Sequence, residues 1–153
     1  MGQSFQPPEV SLDIFDSVIG WFGVLYSGKT VLAIKLGFDD PGQLRQAFQE
    51  AGLSDVSSFE PMKQFRTQVR KYLAGEKVGF DSFEIYTAGM TAFQLAVTEA
   101  CRNIPRGQVL TYGDLADKVG HAGAARAVGT VMKRKPFPLI VPCQRVVRRG
   151  GLG

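Results

Sequence analysis

Residues 111–134 read TYGDLADKVGHAGAARAVGTVMKR and hold the clearest local pattern in the chain. Thr111 and Asp114 have the spacing of a capping box, with Asp in place of Glu, and predict the start of a helix. Gly120 predicts the end of that helix, and after a short turn the Ala-rich residues 122–133 predict a second helix. Two helices joined by a Gly-containing turn are typical of a helix-turn-helix, although other helical pairs share this pattern.

Positive charge is concentrated in the half of the chain that contains this segment. Residues 90–153 hold 10 Lys and Arg side chains and three Asp and Glu side chains, a net charge of +7. Residues 1–89 hold 8 Lys and Arg side chains and 11 Asp and Glu side chains, a net charge of −3. A basic half joined to a mildly acidic half indicates binding to a polyanion. Chance clustering on a solvated surface explains the charge alone equally well.

The remaining patterns predict an α+β chain of two domains. Apolar and aromatic runs broken by Gly over residues 11–37 predict hairpin-connected antiparallel strands. Helical spacing predicts further helices over residues 41–51, 61–73 and 91–103. We expect an extended connection over residues 75–90 and therefore place the domains at residues 1–89 and 90–153.

A phosphate-loop pattern occurs within the predicted strands. Residues 23–30 read GVLYSGKT and match G-x4-G-K-T letter for letter. The motif binds phosphate only where a helix follows the Lys and Thr, so that its N-terminal amides face the ligand. Here the interior of the motif and the residues after it are strand-like. We therefore expect Ser27, Gly28 and Lys29 to form a hairpin turn, and we predict no nucleotide site.

Composition limits the other function classes. The chain has 153 residues, of which 44% are hydrophobic and 21% charged, as in ordinary folded proteins. We see no apolar run of bilayer length and no signal-peptide pattern, and we expect a cytoplasmic protein without membrane association. Two cysteines and one histidine offer no recognisable metal-ligand spacing, so we predict no metal and no cofactor.

Cys143 lies in a second informative stretch, PLIVPCQRVV, at residues 138–147. Pro142 fixes the backbone immediately before the thiol, and basic residues flank it on both sides. Positive charge favours the thiolate where such side chains approach it, but an inert core cysteine also fits these residues. Cys101 is spaced with the apolar face of its helix and is expected to be structural. His121 is expected to be a solvated residue of the turn between the two helices.

Together these segments resemble the O6-alkylguanine-DNA alkyltransferases, also called methylated-DNA–protein-cysteine methyltransferases. The resemblance covers residues 91–153 in family order and spacing. It rests on Phe93-Gln94, Ile104-Pro105-Arg106-Gly107, Thr111-Tyr112-Gly113-Asp114-Leu115-Ala116, Ala125-Arg126-Ala127-Val128-Gly129, Pro136 and Val141-Pro142-Cys143-x-Arg145-Val146-Val147, where x is any residue. It implies an N-terminal ribonuclease-H-like α/β domain with an antiparallel sheet and a C-terminal helical domain with a winged helix-turn-helix.

The resemblance also implies how the protein acts. Its partner would be double-stranded DNA that contains O6-alkylguanine, bound through the minor groove by a monomer. Tyr112 would push the nucleotide out and face the base, Arg126 would fill the gap, and Cys143 would accept the alkyl group irreversibly. Small residues suit a helix that enters a groove about 6 Å wide. The residues implied in DNA binding are Thr111, Tyr112, Ala124, Ala125, Arg126, Ala127, Gly129 and Arg145.

Three departures from the family pattern predict slower transfer. Gln144 follows the cysteine where the family has His, and a neutral amide cannot take a proton. Lys135 stands where the family has Asn, and we expect it to hold the thiolate or to protonate the departing guanine. The Glu of the family's proton relay falls beyond Gly153. The predicted catalytic residues are thus Cys143, Gln144, Tyr112 and Lys135, with transfer slowed but not abolished.

Two other function classes stay open. A non-enzymatic alkyltransferase-like protein would flip the same lesion and recruit other repair factors, but relatives of that kind replace the cysteine that this chain retains at Cys143. A winged-helix regulator would use the same architecture without flipping a nucleotide. Methyl transfer from O6-methylguanine distinguishes the enzyme from the first class, and strong sequence selectivity for undamaged duplexes would identify the second.

Overall fold

The structure, a computed structural model, describes residues 10–52, 60–134 and 137–148. The chain divides into two units, Met1–Tyr86 and Thr87–Gly153. The first unit combines a sheet with helices and the second is mainly helical, so the predicted α+β class is confirmed. Within the described residues, no helix is long and apolar enough to cross a membrane.

The sheet of the first unit has the strand order β1-β2-β3-β4. β1 (Ser11–Phe15), β2 (Trp21–Ser27) and β3 (Thr30–Phe38) are antiparallel neighbours, as predicted for residues 11–37. β4 (Glu84–Ile85) pairs with β3 in parallel. The predicted antiparallel sheet is therefore confirmed for β1 to β3, and the connection expected to be extended adds a short parallel strand at its edge.

The phosphate-loop pattern is a β-hairpin, as predicted. Ser27 lies opposite Thr30 in the antiparallel ladder, and Gly28 has a φ of 59°, in the left-handed region that a tight hairpin turn requires. A strand follows Lys29, so this segment has no helix N-terminus that could hold a phosphate.

Two helices of the first unit lie within two residues of their predicted bounds. They are α1 (Pro41–Glu50) and α2 (Lys63–Leu73). Helix α1 packs its buried face on the sheet because its apolar side chains recur at helical spacing. The shared core cluster contains Leu12, Leu25, Leu44 and Phe48.

Gly23 allows α1 to approach β2 closely. A Cβ atom built at Gly23 would lie 2.5 Å from Cε2 of Phe48 and 3.1 Å from Cδ2 of Leu44. Both side chains are buried, so neither can move aside without displacing the core. The first glycine of the phosphate-loop pattern therefore has a packing role.

We expect Gly23→Ala to lower the free energy of unfolding by about 1–3 kcal/mol through overpacking. Urea unfolding followed by circular dichroism measures the change. Gly79→Ala is the matched control, because the nearest atom to its new Cβ would be Oδ2 of Asp81 at 3.9 Å. Equal stability of the two variants would show that α1 does not pack against β2 this closely.

An ion pair joins β1 to α2. The Asp13 side chain is 2% exposed, and its carboxylate accepts hydrogen bonds from the Met62 N–H at 2.9 Å and from Arg66 Nε at 2.8 Å. Arg66 Nη2 donates to the other carboxylate oxygen, and the guanidinium lies 5.2 Å from the centre of the Phe15 ring. The hydrogen bond to Asp13 is the main cause that raises the pKa of Arg66. These contacts fix the start of α2 against the sheet.

The second unit contains the predicted helix-turn-helix. Its elements are α3 (Ala92–Arg102), β5 (Leu110–Thr111), α4 (Tyr112–Lys118), α5 (Ala125–Arg134), a 3₁₀ turn (Cys143–Arg145) and β6 (Val146–Val147). The capping box predicted for α4 is confirmed: Thr111 Oγ1 accepts from the Asp114 N–H at 3.0 Å, and the Asp114 carboxylate accepts from the Thr111 N–H at 3.1 Å. Gly120, with a φ of 80°, follows α4 in the conformation that ends a helix, as predicted.

The turn between α4 and α5 is longer than predicted. We expected the second helix over residues 122–133, but it begins at Ala125. Gly123 has a φ of 86°, outside the right-handed helical region, and the Ala124 N–H donates to the carbonyl oxygen of His121 at 3.0 Å. Residues 122–124 therefore belong to the turn rather than to the helix.

Candidate active site

Cys143 is the first residue of the 3₁₀ turn. Its N–H donates to the Val141 carbonyl oxygen at 2.8 Å, and the Arg145 N–H donates to that of Pro142 at 2.9 Å. Pro142 restricts the backbone at the entry to the turn. Cys143 is half-buried and the adjacent Gln144 is exposed, so Cys143 lies outside the fully buried core.

Parallel pairing of β5 with β6 joins this turn to the helix-turn-helix. The two strands pair over two residues each, with Thr111 opposite Val147. Strand β6 follows the Cys143 turn directly, and α4 begins with Tyr112 directly after β5. The structure thus brings two predicted site residues, Cys143 and Tyr112, onto neighbouring segments.

Arg145 joins the same turn to the end of α3. Its Nη1 donates to the carbonyl oxygen of Ile104 at 2.7 Å. Ile104 is 4% exposed, and its own N–H donates to the carbonyl oxygen of Cys101 at 3.1 Å. Arg145 is half-buried, so its hydrogen bond is partly shielded from water. The DNA contact that the resemblance implies for Arg145 stays a prediction.

Cys101 is a fully buried thiol on α3, which confirms its structural interpretation. Burial raises the pKa of the Cys101 thiol to about 12. Negative charge on Cys143 acts in the same direction and the positive charge of Arg145 acts in the opposite one, so both side chains interact electrostatically with Cys101. Cys101 is therefore protonated and unreactive at neutral pH.

We expect one reactive thiol in the folded protein and two after unfolding. Cys143 should react with Ellman's reagent at neutral pH, whereas Cys101 should react only in denaturant because its thiol is buried and protonated. Thiol titration in buffer and in guanidinium chloride measures both numbers, and Cys143→Ser should show no fast thiol in buffer. Two fast thiols in the folded wild-type protein would contradict the burial of Cys101.

The same burial makes stability sensitive to alkaline pH. The folded-state pKa of Cys101, about 12, lies above its ordinary value of 9.0, so the protonated thiol's contribution is fully present below pH 9 and is lost as the pH rises toward 12. The free energy of unfolding should fall by up to about 1.4 kcal/mol per pH unit in this range. Urea unfolding of Cys101→Ala should give a flatter pH profile than that of the wild type.

Tyr112 packs against α5 at Gly129. A Cβ atom built at Gly129 would lie 3.7 Å from Cε2 and 3.9 Å from Cδ2 of the Tyr112 ring. Tyr112 is half-buried, and the Thr111 hydroxyl caps the helix that Tyr112 begins. Three of the residues that the resemblance implies in DNA binding, Thr111, Tyr112 and Gly129, therefore lie together where α4 meets α5.

Helix α5 presents a basic face to solvent. Its exposed residues are Arg126, Ala127, Thr130, Lys133 and Arg134. Val128 and Met132 are buried on the opposite side, and Ala124 and Ala125 are half-buried where the helix begins. The exposed face thus combines small side chains near Arg126 with cationic side chains in the last turn, an arrangement that suits a polyanion.

Part of the predicted site is not described. Lys135 lies outside the described residues, as do Pro136 and residues 149–153, so the catalytic role of Lys135 stays a prediction. His121 is exposed, and its ring meets that of Phe93 edge-on at 5.1 Å. In the described ranges, no three His, Cys, Asp or Glu side chains lie close enough to hold a metal ion.

The chain is similar to known proteins over most of its length. Residues 92–153 match the DNA-binding domain of 6-O-methylguanine DNA methyltransferase. A methylated-DNA–protein-cysteine methyltransferase of Thermococcus kodakarensis is 37% identical over 142 residues, which cover 87% of this chain and 79% of that protein. One from Shigella flexneri is 37% identical over 127 residues, which cover 82% of this chain and 67% of that protein.

Solved structures show the same likeness. The structure of Mycobacterium tuberculosis OGT in complex with DNA has a TM-score of 0.75 at 31% identity and covers 94% of this chain and 81% of that one. The O6-methylguanine-DNA methyltransferase of Pyrococcus kodakaraensis KOD1 has a TM-score of 0.69 at 35% identity, with coverage of 94% and 89%. With its cysteine turn, its helix-turn-helix and these likenesses, the chain belongs to the methylated-DNA–protein-cysteine methyltransferases, an enzyme family.

Proposed function

We propose that this protein repairs O6-alkylguanine in double-stranded DNA by transferring the alkyl group to its own Cys143. The observation that carries the proposal is the placement of Cys143. Its half-buried thiol lies in a turn that β5–β6 pairing joins to the start of α4 at Tyr112. A nucleophile for DNA must be partly accessible and must lie near the element that handles the base, and this placement supports the proposal if α4 is that element.

The basic face of α5 is the proposed contact with the minor groove. Arg126 is exposed near the start of the helix, where it can enter the duplex and fill the space that a flipped nucleotide leaves. Ala127 adds little bulk beside it, while Lys133 and Arg134 would attract phosphates. Tyr112, packed against α5, would push the nucleotide out and face its base.

Transfer would be a single displacement at the alkyl carbon. The thiolate of Cys143 forms a new S–C bond while the bond from carbon to guanine O6 breaks, and the electron pair of that bond passes to guanine, which takes up a proton. The product thioether is a poor leaving group, so each molecule acts once. A free thiol is a few per cent ionised at pH 7, so Gln144, which cannot accept a proton, slows transfer without abolishing it. Lys135 is the proposed proton donor.

We further propose that the second predicted domain, residues 90–153, holds both the DNA interface and the acceptor cysteine. Its proposed boundary lies three residues from the division between Tyr86 and Thr87. We propose that the protein acts as a monomer in the cytoplasm and without a cofactor.

The test is incubation of the protein with an oligonucleotide duplex that contains O6-methylguanine, followed by mass spectrometry of its peptides. We expect one added methyl group on the peptide that contains Cys143. Lesion-specific binding without any transferred methyl group would instead identify a non-enzymatic lesion binder. Strong selectivity among undamaged duplexes, again without transfer, would identify a regulator.

Arg126→Ala is expected to weaken binding of the O6-methylguanine duplex more than binding of the undamaged duplex. Filling the base stack offsets a few kcal/mol of unstacking, so lesion affinity should fall about tenfold or more. Fluorescence anisotropy with both duplexes measures the two losses. Lys133→Ala removes a charge from the same exposed face and should weaken both complexes equally. Equal losses for Arg126→Ala would make Arg126 an ordinary backbone contact.

A further inference from the structure

Arg145 is a basic residue beside the acceptor cysteine whose side chain is committed to the protein backbone. Its Nη1 donates to the Ile104 carbonyl oxygen at 2.7 Å, across 41 positions of sequence. We infer that Arg145 is a positioning residue: it anchors the turn that carries Cys143 to the C-terminal end of α3. This inference rests on the proposed function, because it concerns the placement of the proposed nucleophile.

The Cys143 turn needs an anchor outside itself. It is one short 3₁₀ turn, and this type of turn has poorer hydrogen-bond geometry than an α-helix. Strand β6, which follows it, pairs with β5 over only two residues. The Arg145 side chain adds a third constraint, a hydrogen bond to the carbonyl oxygen of Ile104, two residues beyond the last residue of α3.

The chemistry at Ile104 favours a long-lived contact. Ile104 is buried, so the folded protein would be destabilised if the Ile104 carbonyl oxygen had no hydrogen-bond donor. A hydrogen bond from a charged donor is stronger than one from a neutral donor, and positive charge near a helix C-terminus is itself stabilising. The electrostatic interaction of Arg145 with Cys101, on the last turns of α3, agrees with this placement.

Displacement requires the attacking sulfur to be aligned with the alkyl carbon, and a misplacement of about 1 Å can cost on the order of 100-fold in rate. We therefore expect Arg145→Met to lower the single-turnover transfer rate at saturating DNA by about 100-fold. The affinity for undamaged duplex should change little. Arg148→Met is the matched control, since Arg148 is exposed and lies three residues further along the chain, and its transfer rate should equal that of the wild type.

Two conservative variants separate positioning from contact with a DNA phosphate. Arg145→Gln removes the charge but keeps an N–H donor for the Ile104 carbonyl, whereas Arg145→Lys keeps both the charge and a donor. If Arg145 positions the turn, both variants recover part of the transfer rate. If Arg145 contacts phosphate, Arg145→Lys alone recovers function, and the loss in Arg145→Met appears in duplex affinity rather than in the rate at saturating DNA. That second pattern would overturn the inference.

Hydrogen exchange tests the anchor without using transfer. The backbone N–H of residue 145 donates to the Pro142 carbonyl oxygen. Its hydrogen should exchange faster in Arg145→Met than in the wild type or in Arg148→Met. Unchanged exchange would overturn the inference even if transfer is lost. Faster exchange in a protein whose wild type transfers no methyl group would support the anchor while the proposed function fails. Measurement at a temperature where far-UV circular dichroism shows all variants folded keeps both results interpretable.

Discussion

Cys143→Ala is expected to bind the O6-methylguanine duplex with nearly the affinity of the wild type and to transfer no detectable methyl group. The sulfur is the atom that forms the new bond and alanine offers no acceptor in its place, so transfer should be lost completely. The basic face of α5 and the Tyr112–Gly129 contact remain intact, because neither involves the sulfur. Single-turnover transfer and fluorescence anisotropy on the same samples measure the two properties.

Cys101→Ala is the matched control for this experiment, since it removes the other thiol of the chain. Cys101 is fully buried and protonated, so the variant should transfer the methyl group as the wild type does. Methylation of Cys143→Ala at any other residue would contradict the assignment of the acceptor. Loss of transfer in Cys101→Ala, with its fold preserved, would show that the buried thiol takes part in the reaction.

Asp13→Ala is expected to cause the largest loss of stability, about 3–5 kcal/mol. The substitution leaves the Arg66 guanidinium in a partly buried position without its carboxylate and leaves the Met62 N–H without an acceptor. Removing one partner of a buried ion pair lowers the free energy of unfolding more than removing both partners, because an uncompensated charge remains. Guanidinium chloride unfolding at neutral pH measures the loss.

The double variant Asp13→Ala with Arg66→Met tests the origin of this effect. If the unpaired Arg66 charge causes most of the loss, the double variant should recover part of the stability that Asp13→Ala loses. Asp13→Asn keeps an oxygen acceptor for the Met62 N–H and should be less destabilised than Asp13→Ala. A loss below about 1 kcal/mol for Asp13→Ala would show that the pair is solvated like a surface ion pair.

Local signals in the sequence predicted the helices and hairpins well. Thr111 and Asp114 predicted a capping box that both hydrogen bonds confirm. The T-x-x-Q spacing of Thr91 and Gln94 encodes a second box at the start of α3, which our prediction of that helix omitted. The predicted start of α5 was wrong because it relied on the high helix propensity of alanine. The positive φ of Gly123, which keeps the preceding residues out of the helix, is set by the turn.

The candidate site was less predictable than the helices that carry it. The resemblance selected Cys143, Tyr112 and Arg126, and the structure places the first two on segments that strand pairing joins. No spacing rule indicates that the Arg145 side chain reaches Ile104 or that Tyr112 packs on Gly129. Both contacts join residues far apart in sequence. Arg145 contacts a backbone carbonyl and Tyr112 contacts a glycine, so neither partner offers a side chain that a sequence pattern could single out.

The sequence by itself determined the elements and the chemistry, because these depend on neighbours along the chain. Caps, turn glycines and apolar periodicity act within a few residues, and a thiol after Pro142 is present whatever the fold. Only the tertiary structure decided the parallel edge strand β4, the ion pair of Asp13 with Arg66 and the anchor from Arg145 to Ile104. Each of these joins segments tens of residues apart, and such contacts form only when burial of the shared core offsets the entropy of closing the long loops between them.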